Sequence, residues 1–220
     1  MKDFEGREQS LKLLQYASFL ASVLWNSQTL RKRAKKLALN LAVVRKALRL
    51  GMPFKNLLEI LTRAWNKPKT WTRGLSDVFG VAFYLADHCL YFQRVGLLKL
   101  QPESTRLMLF DIVRNLSWVL KELFAILATA LEMHNLQKLM QKLVRVIQRD
   151  SNQALNSTEY RNLGVKNDLL VLEMIRSILD IPVAIYFLDK NKLNAGVVGV
   201  LGVLSSAVGV ARSFKKQTLT

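Results

Sequence analysis

From Leu193 to Ala211 the chain runs for 19 residues without a charge, bounded by Lys192 and Arg212. A helix of that length spans roughly 28 Å at ~1.5 Å per residue, close to the ~30 Å of a bilayer's hydrocarbon core. Within it the stretch "GVVGVLGVLSSAVGV", residues 196–210, holds four of the chain's ten glycines. A phosphate-cradling loop would need a preceding strand and a lysine closing the glycine run. Here "DKNKLNA" precedes Gly196 and no lysine follows before Lys215, so the loop is rejected. Ala195 and Gly199, Gly202 and Ser206, and Ser205 and Gly209 stand four apart, the spacing that lets two helices approach closely in lipid. These six residues are the expected helix-packing or oligomerisation face of a transmembrane helix over about 193–211. The alternative is a buried helix of a soluble bundle, which glycine's low helix propensity disfavours in water.

The rest of the chain reads as helices separated by short breaks. Only four prolines (Pro53, Pro68, Pro102 and Pro182) punctuate 220 residues rich in Leu, Ala, Lys and Arg. The pattern predicts helices over about Arg7–Trp25, Thr29–Leu50, Phe54–Asn66 and Leu75–Leu98, with "NKPKTWTRG" as a loop before the fourth. Ser104 is the expected N-cap of a long helix reaching about Arg149. The polar stretch 151–168 reads as a flexible linker. Helices follow over about Leu169–Leu188, kinked or broken at Pro182, and Leu193–Phe214. Four regions result: an amphipathic N-terminal part (1–73), central helices with a possible membrane-embedded segment (74–150), the linker, and a C-terminal part (169–220). The expected class is all-α and membrane-associated.

Charge narrows the partners. Thirty-three Lys and Arg stand against 16 Asp and Glu, a formal net charge of +17, which biases a chain toward phosphate-bearing surfaces. No nucleic-acid recognition motif is present, so an anionic phospholipid membrane is the expected partner and nucleic acid is not. The second helix has the sharpest pattern. Leu37, Leu41, Val44 and Leu48 form one stripe, while Arg31, Lys32, Lys35, Lys36, Lys46 and Arg49 fall mainly opposite. With Arg45 these are the candidate membrane-binding residues, leucines at the acyl boundary and cations on lipid phosphates; an ordinary bundle helix with a solvated basic face shows the same stripe. "LQKLMQKLVRVIQR" repeats the pattern with Lys138, Lys142, Arg145 and Arg149.

A second apolar stretch, "LSDVFGVAFYLADHCLYFQRVGLL", is interrupted by Asp77, Asp87, His88 and Arg94. Asp87, His88 and Arg94 are candidates for a pore lining or for buried polar positions. Asp87 and His88 are adjacent, so on a helix they diverge and form no dyad. Cys89 is the single cysteine, excluding an internal disulfide. The carboxylates are scattered and neither histidine has further ligands at metal spacing. No enzyme, cofactor or metal is expected. No secretory signal is visible at the start.

Taken together, four segments resemble the peroxin-11 family of peroxisomal membrane proteins. "GREQSLKLLQYASFL" is similar to its Gly-Arg-Asp opening, with Glu8 in place of the aspartate. "VRKALRLGMPFKNLLEIL" resembles its Arg-Lys-x-Leu-Arg-Leu-Gly element, "YLADHCLYFQRVGLL" its aromatic central segment, and "GVLGVLSSAVGV" its closing element. They occur in the family's order from Gly6 to about Val210. The resemblance implies a peroxisomal (or glycosomal) membrane protein that elongates the membrane before fission by inserting amphipathic helices and self-associating. It also implies a homo-oligomer, a dynamin-type fission machinery and a membrane-protein import receptor as partners, and the wedge would lie within Thr29–Asn66. An oligomeric pore for small metabolites is the alternative.

Overall fold

A computed structural model describes residues 2–65, 68–99, 101, 104–147 and 153–217. Among them are seven α-helices and no strand: α1 (Lys2–Leu24), α2 (Gln28–Leu48), α3 (Met52–Thr62), α4 (Pro68–Arg94), α5 (Thr105–Ile147), α6 (Gln153–Leu188) and α7 (Ala195–Gln217), with a 3₁₀ turn at Arg49–Gly51 between α2 and α3.

Local chemistry accounts for several boundaries. Pro53 and Pro68 open α3 and α4, where a missing N–H leaves no bond unmade. Gly96, at φ 83°, ends α4. Its N–H donates to Gln93 O at 3.2 Å and that of Leu97 to Phe92 O at 2.8 Å, the paired bonds of a Schellman stop. Ser104 accepts the Leu107 N–H on its hydroxyl at 3.3 Å, the capping role expected of it.

Three expectations need correction. The residues 68–74 of "NKPKTWTRG" are the first turns of α4, because Pro68 starts a helix as readily as it stops one. Residues 153–168 of the expected linker belong to α6. They contain no proline, and polar composition opposes burial rather than helix. α6 also passes through Pro182 without a break; its neighbours Val183 and Ala184 are fully buried, so packing on that turn compensates the lost bond.

The helices stand side by side in the order α2, α1, α7, α6, α5, α4, with α3 against α4. α2 also touches α4, which closes the row into a ring, so the central helices α4 and α5 and the C-terminal helices α6 and α7 are walls of one bundle. A small apolar core of Tyr16, Val183 and Val198, flanked by Phe19, Trp118, Tyr186 and Phe187, holds one end. Elsewhere the buried apolar residues are mostly alanines with Phe83, Leu136 and Leu170, and many interior side chains are polar: Glu8, Lys12, Arg45, Asp87, Asn115, Glu122, Thr129, Glu173, Ser177, Asp180 and Ser205 are all buried. Large apolar side chains such as Leu14, Leu85, Met108, Leu127, Ile178 and Leu204 face outward instead. A water-soluble bundle has the reverse arrangement.

Candidate membrane-binding site

α2 presents three faces. The face toward α1 is built from Ala34, Ala38 and Arg45, the buried residues of the helix, at steps of four and seven. The apolar stripe lies beside it: Leu37, Val44 and Leu48 are exposed and Leu41 is half-buried. On the N-terminal half Arg31, Lys32, Arg33, Lys35 and Lys36 are exposed, and their side chains form no ion pair among the described residues. Only Arg31 is anchored, its Nε donating to Ser22 O at 3.2 Å.

The C-terminal half of α2 differs. Arg45 and Arg49 both reach one oxygen of Glu8 on α1, at 2.7 and 2.6 Å. Arg45 also donates to Gln15 Oε1 at 2.5 Å. Lys46 pairs with Asp87 of α4 at 2.8 Å, and Arg49 approaches the same carboxylate at 3.7 Å. Arg114 of α5 lies 4.0 Å from it. Burial pushes the Lys46 ammonium below its usual range, with Asp87 offsetting only part of that. Burial acts on Arg49 in the same direction, but Glu8 and Asp87 together outweigh it and hold the guanidinium more firmly charged than usual.

Thus the structure separates the candidate cations into two groups. Arg31, Lys32, Lys35 and Lys36 stay open, whereas Arg45, Lys46 and Arg49 turn inward. Asp87 and His88 are buried and Arg94 is exposed; Asp87 is closed off by its cations. A cleft of about 530 Å³ lies elsewhere, between the ends of α1, α2 and α7, lined by Gly6, Leu11, Leu48, Val210 and Phe214 among others.

The small residues of α7 pack on α1. A Cβ at Gly199 would meet the Leu20 backbone at 3.2 Å, one at Gly209 would meet Gln9 Oε1 at 2.5 Å, and one at Gly202 would run into the Tyr16 ring. Ser205 and Ser206 are fully buried, and Ala195 is half-buried at the start of the helix. Ser205 hydrogen-bonds Asp180 of α6 and accepts from Lys12 Nζ at 3.0 Å, while Lys12 and Asp180 pair at 2.7 Å.

Sequence reasoning missed Glu8, Lys12, Asp180 and Glu173, the carboxylates and amine that bind the ring together. Glu173 bridges Arg73 of α4 and Arg212 of α7, each at 3.0 Å. A signal was present: single charges stand in otherwise apolar stretches, with opposite signs in different helices. Among the described residues no three His, Cys, Asp or Glu side chains gather as metal ligands.

An all-helical ring with an ion-paired interior, many large apolar side chains on its exterior and one helix long and apolar enough to cross a bilayer is a membrane-associated helical protein. The family model of peroxisomal biogenesis factor 11 (PEX11) matches residues 1–214, and the chain belongs to that family, whose role is in peroxisome biogenesis. No curated protein and no solved structure matches the chain. Three of the four segments that carried the resemblance meet at one place: Glu8 from the first, Arg45, Lys46 and Arg49 from the second, and Asp87 from the third.

Proposed function

We propose that this protein elongates the peroxisomal membrane before fission: α7 crosses the bilayer and α2 inserts its leucine stripe into one leaflet. The observation that carries the reading is the open face of α2, where Leu37, Val44 and Leu48 are exposed next to five exposed cations. Such a helix places leucines at the acyl boundary and cations on headgroup phosphates, and each cation near an anionic surface contributes about 1 kcal/mol. A wedge in one leaflet expands that leaflet and favours a tubule.

The packed ring constrains how this happens. α2 runs antiparallel along α1, from Arg31 at Ser22 to Arg49 at Glu8, and α1 runs along α7. Beside a crossing α7, α2 therefore lies in the leaflet plane only after leaving α1 and giving up the pairs at Glu8 and Asp87. Self-association belongs to the same proposal, and because α1 occupies the glycine face of α7, copies meet through other surfaces or after α1 moves. A dynamin-type fission machinery and a membrane-protein import receptor are the further partners proposed.

The test is expression of the full-length chain beside a peroxisomal matrix marker. Wild type is expected to give elongated peroxisomes. Leu37→Asp combined with Val44→Asp is expected to reach the same membrane and leave its shape unchanged. Elongation by that variant at the wild-type level removes α2 insertion as the mechanism.

A further inference from the structure

α1 fails any simple hydropathy test for a membrane span, because Glu8, Gln9 and Lys12 lie in its first half. Its surroundings point the other way. We infer that α1 crosses the bilayer beside α7, with lipid acyl chains covering its outer face; this rests on the proposed crossing by α7.

The first argument is register. α1 is antiparallel to α7 from Gly6 to Val23, with Gly6 near Ser213, Gln9 at Gly209, Tyr16 at Gly202, Leu20 at Gly199 and Val23 near Gly196. Helices so closely apposed over this length share one depth.

The second argument is where the charges go. Between Arg7 and Arg31 the only charged residues are Glu8 and Lys12, and both are buried: Lys12 pairs with Asp180 of α6, a pair that does not involve α2, and Glu8 stands beside Arg7 at the end of the span. Charged side chains within a membrane helix face the bundle interior and pair there. The outer surface of α1 from Glu8 to Trp25 thus carries no charge, and Leu14, Leu24 and Trp25 are about half or more exposed on it. That surface continues into Val197, Val200 and Leu204 of α7, also exposed.

The third argument is hydrogen bonding. Ser10 and Ser18, the outward hydroxyls, donate to Gly6 O at 3.0 Å and Leu14 O at 2.7 Å within the helix itself. A helix facing hydrocarbon must satisfy its polar groups internally, and these do so without water. From Glu8 to Trp25 the helix spans ~27 Å, with Arg7 at one end and Trp25, an interfacial side chain, at the other.

Cysteine mapping of the full-length protein in sealed peroxisomes tests this. Cys89→Ser removes the single thiol, and single cysteines are placed at Arg7, Asn26, Asn194 and Lys216, with Ser27→Cys repeating the α1–α2 turn. An impermeant maleimide is expected to separate the sites into two pairs. Arg7→Cys and Lys216→Cys react alike, and Asn26→Cys and Asn194→Cys react alike from the opposite face, the shielded pair gaining label on permeabilisation. If Asn194→Cys and Lys216→Cys separate while Arg7→Cys and Asn26→Cys label from the same face, α7 crosses and α1 does not, which overturns the inference alone. If all four label from the same face, both the inference and the crossing by α7 are overturned.

Discussion

α2 and α7 are the two helices whose stripes stand out in the sequence, and they use those stripes in opposite ways. The small-residue stripe of α7 faces inward, where Gly199, Gly202 and Gly209 admit Leu20, Tyr16 and Gln9 of α1. The leucine stripe of α2 faces outward, and its packed face is made of Ala34, Ala38 and the paired Arg45. Both cases follow from one rule: backbones approach where side chains are small, and a charge enters the interior where a carboxylate meets it. Leucine against leucine is the driving force in water; here the leucines are left on the outside, as the proposed insertion into lipid requires.

The sharpest break of this comparison is Glu8→Leu. It removes the oxygen shared by Arg45 and Arg49 and leaves two buried guanidinium groups short of their partner. Stripping one member from a buried ion pair costs about 3–5 kcal/mol, so thermal unfolding of the detergent-solubilised protein is expected to shift downward by many degrees, the largest effect of any change here. α2 should also become the most protease-sensitive helix. An unchanged midpoint would mean that the α1–α2 contact rests on Ala34 and Ala38 and not on the ion pairs.

Much of the helix content was legible because prolines, caps and periodicity are local signals: Ser104 caps α5 as its position suggests. The membrane length of α7 was legible for the same reason. The ring was not, because it is specified by single residues far apart in the chain. Lys12 and Asp180 are 168 residues apart, and nothing near either one names the other. Arg45, Lys46 and Arg49 read as lipid contacts because a cation's partner is invisible from its own helix, and the same blindness made 153–168, with its paired Lys166 and Asp168, look like a linker. Its anchors, Lys166 to Glu132 at 3.4 Å and Asp168 to Lys215 at 2.6 Å, come from other helices.

On the α7 side the corresponding break is Gly202→Leu. A side chain there collides with the Tyr16 ring, and overpacking of this kind costs about 1–3 kcal/mol. Val200→Leu, two residues away and exposed on another side of the helix, is the control and should leave the unfolding midpoint in place. Equal effects from the two changes would show that α1 does not hold the glycine face in the native membrane protein.

The smallest effect, and the one that separates the two halves of α2, comes from Lys36→Gln. Lys36 is exposed and faces no carboxylate among the described residues, so its loss should alter unfolding by no more than ~0.5 kcal/mol, as for other surface changes. On the proposed function its contribution lies in lipid attraction. Binding of α2 to vesicles containing phosphatidylserine should weaken by about 1 kcal/mol, and the difference should shrink as salt shortens the screening length. Lys46→Gln, ten residues on, should show the opposite balance. Its ammonium lies 2.8 Å from Asp87, so removing it leaves a buried carboxylate with a weaker partner and lowers stability more than vesicle affinity. If instead the two substitutions cannot be told apart in either assay, the division of α2 into an open half for lipid and a paired half for the ring is wrong, and α2 acts as one uniform surface.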